Sequence, residues 1–226
     1  LIGEGFDEHK VCKLNYPCVP PPILKKCEKY NVQTKRKLKL PEKPLVLLYI
    51  GRITRRKGIH ILLQALPEVI SEIKDVLTLI AGPTDEKYLN TLLRLTDRLN
   101  LGHNVVFKQP LSEEEKYKYM CSCTVFVSPS IKDYTPVTLL EAQALGIPVI
   151  STTAGAIQEI VKDRETGLLV EPENPKKLSQ AIKWLILRDS ERRAMSMKAK
   201  QWVKQNFVLN ATVDKLEKLY VDCLNW

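Results

Sequence analysis

From residue 45 onward the chain alternates between two hydrophobic rhythms. Short, nearly unbroken runs of Val, Ile and Leu occur at LVLLYIG (45–51), VLTLIAG (76–82), NVVFK (104–108), TVFVSPS (124–130) and IPVIST (147–152). Between them, GIHILLQALPEVISEI, DEKYLNTLLRLTDRLN, SEEEKYKYMC and TPVTLLEAQALG carry apolar residues at i, i+3, i+4 and i+7, the spacing of a helix with one apolar face. A strand that is apolar on both faces must be covered on both, so the alternation predicts a parallel sheet between two helical layers. With right-handed crossovers this is an α/β fold, a Rossmann-like doubly wound parallel sheet. In such sheets ligands bind beyond the carboxyl ends of the strands, which directs attention to the loops that follow them.

The rest of the chain reads as a further short strand, GLLVEP (167–172), and three helical segments. Asn174 suits a cap and Pro175 the first helical position. The last helix, roughly 211–224, puts Val213, Leu216, Leu219, Tyr220 and Cys223 on one stripe that needs a surface to cover. Residues 1–44, with YPCVPPP in the middle, read as a linker and lead-in rather than a core. The expected division is therefore 1–44 linker, 45–208 sheet domain and 209–226 terminal helix.

Composition changes this picture little. The 226 residues are 44% hydrophobic and 27% charged, which is ordinary for a globular chain. No apolar run approaches the roughly 20 residues that a bilayer span needs. Charge adds more. The formal net charge is +9, and residues 1–44 hold ten Lys or Arg against five Asp or Glu. A solvated surface segment is the plain explanation, and an anionic partner the sharper one. The basic run lacks the interleaved aromatics of a single-strand binder, so no nucleic-acid partner is expected, while peripheral association with an anionic membrane face fits the charge. The six cysteines show no C-x2-C pair and no zinc-finger spacing, which predicts free thiols in a reducing cytoplasm.

Two of the loops carry candidate chemistry. After the first strand, GRITRRKGI brings Arg52 and Lys57 to the rim beside Gly51, where a backbone can approach a ligand closely. Two cations there suit a pyrophosphate, although the segment alone reads equally as a basic surface loop. The loop is not a Walker loop, and the chain has no D-x-D motif to hold a divalent ion. In IKDYTPVTLLEAQALGIPVIST (131–152), Thr135 is the expected cap and Pro136 the first helical residue, leaving the amides of Val137 and Thr138 free to meet an anion. Asp133 and Glu141 would repel an anion, so they suit neutral hydroxyls instead, as in a sugar and a ribose on either side of a diphosphate.

These segments resemble a known family. YIGRITRRKGIHILLQAL, VVFKQPLSEEEKYKYMCSCTVFVSPS, DYTPVTLLEAQALGIPVIST and AGAIQEIVKDRETGLLVEPENPKKLSQAI resemble, in that order, the nucleotide-sugar half of retaining glycosyltransferases of family 4, the group 1 family with GT-B architecture. The resemblance runs from about residue 10 to residue 222. It implies that Glu141, the second acid of the family's E-x7-E, binds ribose hydroxyls, and that Asp133, one methylene shorter than the usual first Glu, meets the donor sugar. Arg52 and Lys57 would hold the diphosphate and stabilise it as a leaving group. Gln109 stands where Gly is usual, at the edge of the base pocket. Gly155-Ala156 replaces Gly-Gly ahead of Glu159, and Arg164 replaces the Gly of a surface turn.

The implied reaction transfers a sugar from a UDP, GDP or ADP sugar to a glycan or lipid-linked acceptor with retained anomeric configuration, needing no metal or other cofactor. GFDEHKVCKLNYPCVPPPI resembles the family's hinge, so the expectation is an isolated donor domain whose acceptor domain lies elsewhere, at the cytoplasmic side or inner membrane face. Two alternatives stay open: a sugar-nucleotide epimerase of the same architecture, which would need acids and histidines clustered in its cleft, and a nucleotide-binding module without catalysis. His60 reads as a packing residue.

Overall fold

Successive side chains of the first strand, β1 (Leu45–Ile50), point to opposite faces, and both faces are apolar. Val46, Leu48 and Ile50 enter one core and Leu47 and Tyr49 the other. A strand of this kind survives only inside a covered sheet, and β1 lies at its centre. The structure, a computed structural model, describes Cys27, residues 45–134 and residues 136–224. Within them β1, β2 (Val76–Ala81), β3 (Val105–Lys108), β4 (Val125–Val127), β5 (Val149–Thr152) and β6 (Leu168–Val170) form one sheet in the order β3-β2-β1-β4-β5-β6. Every pairing is parallel. The Rossmann-like expectation holds, with β4, β5 and β6 shorter than the apolar runs that predicted them.

Helices α1 (Ile59–Glu72), α2 (Glu86–Arg98) and α6 (Pro175–Leu187) supply Leu62, Leu92 and Ile182 to the first core. Helices α3 (Glu113–Ser122), α4 (Val137–Ala144) and the single turn α5 (Ile157–Ile160) supply Met120, Leu139 and Ile157 to the second. The long α7 (Asp189–Asn206) contributes Met195 to one and Val203 to the other. Fully burying such a side chain stabilises the fold by about 1.5–3 kcal/mol. By contrast α8 (Leu209–Leu224) has no buried residue; of its predicted stripe Val213, Tyr220 and Cys223 are exposed and Leu216 and Leu219 half-buried.

Local signals set several of the helix starts. Ser112 and Glu115 form a reciprocal capping box at α3, and Asn174 accepts from the Lys177 amide ahead of Pro175 in α6. The expectation for α4 needs correction: Pro136 takes the cap position with no side-chain cap bond, and the helix begins at Val137. A proline fits there because the chain is still extended and its carbonyl accepts from Leu139 at 2.9 Å. The expected cap, Thr135, lies outside the described residues, as do the basic run, the hinge resemblance and His9. Among the described residues no helix is long and apolar enough to cross a membrane.

A second correction concerns the cysteines. Cys27 and Cys121, 94 positions apart in sequence, are joined in a disulfide with Cα atoms 5.2 Å apart. Spacing could not reveal it, because the fold alone brings Cys27 against the end of α3. Cys123 is half-buried and Cys223 is exposed.

The strand order reverses between β1 and β4. Connections leave those two strands toward opposite sides, which opens a crevice at their carboxyl ends. The loops carrying Arg52, Lys57 and Asp133 emerge there.

Candidate functional site

The two loops at the switch point are built against each other. After β1 the chain makes a tight 3-10 turn at Arg55–Lys57 and reaches Gly58 with φ 69°. A Cβ at Gly58 would lie 1.9 Å from the Pro129 carbonyl oxygen in the loop after β4, so only glycine lets the two backbones approach. The Ile131 amide then donates to the Arg56 carbonyl at 2.8 Å. This brings Lys57 and Asp133, 76 residues apart, into contact with Nζ to Oδ2 at 2.5 Å.

Asp133 is buried, and both of its carboxylate oxygens accept hydrogen bonds. Oδ2 also accepts from the Ser130 hydroxyl at 3.1 Å, and Oδ1 accepts from the Tyr134 amide at 3.0 Å. Its main chain is gripped from the other side: a Cβ at Gly155, where φ is 57°, would lie 2.0 Å from the Asp133 carbonyl oxygen. The first glycine of the Gly155-Ala156 pair is thus a packing requirement of the loop that carries the acid. Burial, and then the charge of Asp133, push the Tyr49 phenol far above its ordinary range. It stays a neutral donor, bonded to the Arg52 carbonyl at 2.8 Å.

Glu141 lies inside α4 and is also buried. Its Oε1 accepts from Lys116 Nζ at 2.7 Å and from the Tyr117 hydroxyl at 3.0 Å, both on α3. Lys116 and Tyr117 were not among the residues that the sequence singled out. The signal for Lys116 was its phase, three and four residues before the buried Tyr119 and Met120, where a lysine needs a partner.

The remaining expected residues take up positions around the same rim. Gly51 and Arg52 follow β1; the Arg52 side chain is exposed and pairs with no carboxylate among the described residues. Pro136 is buried, Val137 is exposed and Thr138 half-buried at the uncapped start of α4, where the first amides of a helix lack internal acceptors. Gln109 is exposed in the loop after β3, two strands from β1, and no contact ties it to Lys57 or Asp133. Arg164 stands in a surface turn with φ 60°, the left-handed geometry that suits the glycine of the family pattern. His60 is half-buried with Nδ1 2.9 Å from the Tyr88 hydroxyl, and burial followed by the Arg55 charge lowers its pKa, so it is neutral and ties α1 to α2. The rim therefore offers two cations at one strand end, an open helix start and two buried acids. No group of three metal-ligating side chains stands among the described residues.

Known proteins are similar to this chain in sequence and in fold. A D-inositol 3-phosphate glycosyltransferase of Corynebacterium urealyticum is 30% identical over 229 aligned residues, covering 97% of this chain, and the chain spans 53% of that relative's length. The C-terminal domain of the group 1 glycosyl transferase LpcC from Francisella tularensis superposes with a TM-score of 0.72 at 23% identity, covering 78% of this chain and 92% of that domain. HepE from Anabaena, solved in complex with UDP, superposes with a TM-score of 0.79 at 20% identity, covering 98% of this chain and 60% of that one. These two likenesses carry the fold. The family model described as "Glycosyl transferases group 1" matches residues 32–202, a span that holds every rim residue discussed above. The chain belongs to the group 1 glycosyl transferases.

Proposed function

We propose that this chain is the donor-binding half of a retaining glycosyltransferase that moves a sugar from a nucleoside diphosphate to an acceptor hydroxyl. The observation that carries the reading is the Lys57–Asp133 contact at the switch point of the sheet, built by two loops that only Gly58 allows to touch. An ammonium held against a buried acid at a strand end can turn one face to a phosphate while the acid meets a neutral hydroxyl. Arg52, whose side chain extends into solvent at the same strand end, adds a second cation for the diphosphate. The uncapped start of α4 favours an anion by about 0.3–1 kcal/mol. That the Anabaena structure holds UDP, and that the Francisella domain is a C-terminal one, support assigning the donor to this half.

In the proposed reaction the acceptor oxygen attacks the anomeric carbon from the face that the diphosphate leaves. The new C–O bond forms as the old one breaks, and the acceptor proton passes to a phosphate oxygen of the leaving group. Lys57, Arg52 and the α4 amides stabilise the charge that develops there, and no protein nucleophile is required. Asp133 would orient the sugar and Glu141 the ribose. As a half of the site, the chain binds donor but turns over only with an acceptor domain present.

Calorimetry on this chain with uridine, guanosine and adenosine diphosphates tests the assignment. One of them should bind, and Arg52→Ala should weaken it at least about tenfold, the cost of one charged hydrogen bond. Failure of all three to bind at millimolar concentration overturns it. Steep loss of binding with salt would instead indicate a diffuse basic surface.

A further inference from the structure

Glu141 is held unevenly. Oε1 accepts both the Lys116 ammonium and the Tyr117 hydroxyl, whereas Oε2 is buried and has no partner among the described residues. A carboxylate oxygen stripped of water and given no donor is costly, and such an atom in a native site calls for a missing partner. The two donors on Oε1 are themselves fixed. Tyr117 is buried, with Glu113 also beside its hydroxyl, and burial followed by the Glu141 charge pushes its phenol far above the ordinary range, so it remains a donor. The Lys116 ammonium lies 4.6 Å from the centroid of the Tyr117 ring, a cation–π contact that restrains a side chain only 21% exposed.

Two donors on one oxygen stop the carboxylate from rotating about its last bond, so the direction of the other oxygen is fixed as well. Resting on the donor-site reading above, we infer that Lys116 is a positioning residue: with Tyr117 it clamps Glu141 by Oε1 and reserves Oε2 for a ribose hydroxyl of the nucleotide. Lys116 itself touches neither phosphate nor base in this assignment. It also balances the charge of Glu141 at a rim that a polyanion must approach. A lysine that served only to neutralise a buried acid would leave discrimination between ribose and a sugar without hydroxyls untouched.

The test compares the tightest-binding of uridine, guanosine and adenosine diphosphates with its 2′,3′-dideoxy analogue by calorimetry on the whole chain. Wild type should prefer the ribose form. Lys116→Met should weaken the ribose form about tenfold or more while the dideoxy form changes little, so that the preference disappears. Lys116→Arg should restore it, and Tyr117→Phe should reduce it by a smaller factor. The ratio is internal to each variant, so partial unfolding lowers both affinities and leaves it intact. An unchanged ratio in Lys116→Met, with wild type still binding, removes this inference alone. If wild type binds none of the three diphosphates, the donor-site reading fails and takes this one with it.

Discussion

Among the described residues, lysine–carboxylate contacts that join separate elements occur in two places, and they are built differently. On the outside of the sheet, Lys183 of α6 reaches Glu68 and Glu72 of α1 at 2.9 and 2.6 Å, and the acids are 42% and 55% exposed. Glu68 is completed by the buried Ser179 hydroxyl, so every group in that cluster has a partner and water besides. At the rim, Asp133 and Glu141 are each only 7% exposed, and one oxygen of Glu141 is unpartnered. Exposed pairs contribute little to stability but cost little to form. Buried ones carry a desolvation penalty that their mutual attraction barely offsets. The outer cluster is explained by joining two helices; the rim pairs join elements too but leave one buried oxygen unmatched, which supports the donor site proposed above.

Lys57→Ala should show the largest effect, because it leaves Asp133 buried without its cation. We expect a loss of about 2–3 kcal/mol of stability, discounted from a fully buried pair for the partial exposure of Lys57. Nucleoside diphosphate affinity should fall at least about tenfold in the same variant. Denaturant melts and calorimetry read both, and a variant as stable as wild type would erase the contrast between rim and outer face.

Gly155→Ala comes next. The added Cβ meets the Asp133 carbonyl and must adopt a positive φ, at a cost of about 1–3 kcal/mol. The loop carrying Asp133 should shift, so binding should weaken as well as stability. A loss of stability with donor affinity intact would separate the acid from the site.

Glu68→Gln should have the smallest effect, and a pH dependence sharpens it. The Ser179 hydrogen bond, and then the Lys183 ammonium, hold the Glu68 carboxyl below its ordinary range. A lowered folded value means that the contribution is present above the unfolded value near 4.3 and is lost as pH falls through the lower one. Thermal melts of wild type and Glu68→Gln should therefore differ slightly near neutrality and converge in acid. A difference that persists in acid would assign the contact to packing rather than charge.

The sheet was legible in the sequence because burial on both faces writes an unbroken apolar run, as in LVLLYI, and a covered helix writes its own period. Short pieces were less so: α5 has a single turn, too brief to show a period, and Pro136 shifted the start of α4 by one residue. Asp133 and Glu141 stood out as acids beside an anion-favouring helix start, and only family resemblance gave each its own role, since eight residues on a loop and a helix imply no shared geometry. The clamp on Glu141 was hidden because Lys116 and Tyr117 sit 25 and 24 residues before it on another helix. Such contacts are set by how α3 lies against α4, and local pattern does not record that.

The bond between Cys27 and Cys121 has a topological consequence. It closes the stretch between them, which holds β1, β2 and β3 with α1 and α2, into a covalent ring. A single nick in any loop of that stretch, such as the one between α2 and β3, would leave both pieces tethered until a reductant opened the ring. Half of the sheet is thus insured against one cut by a link that backbone pairing does not supply.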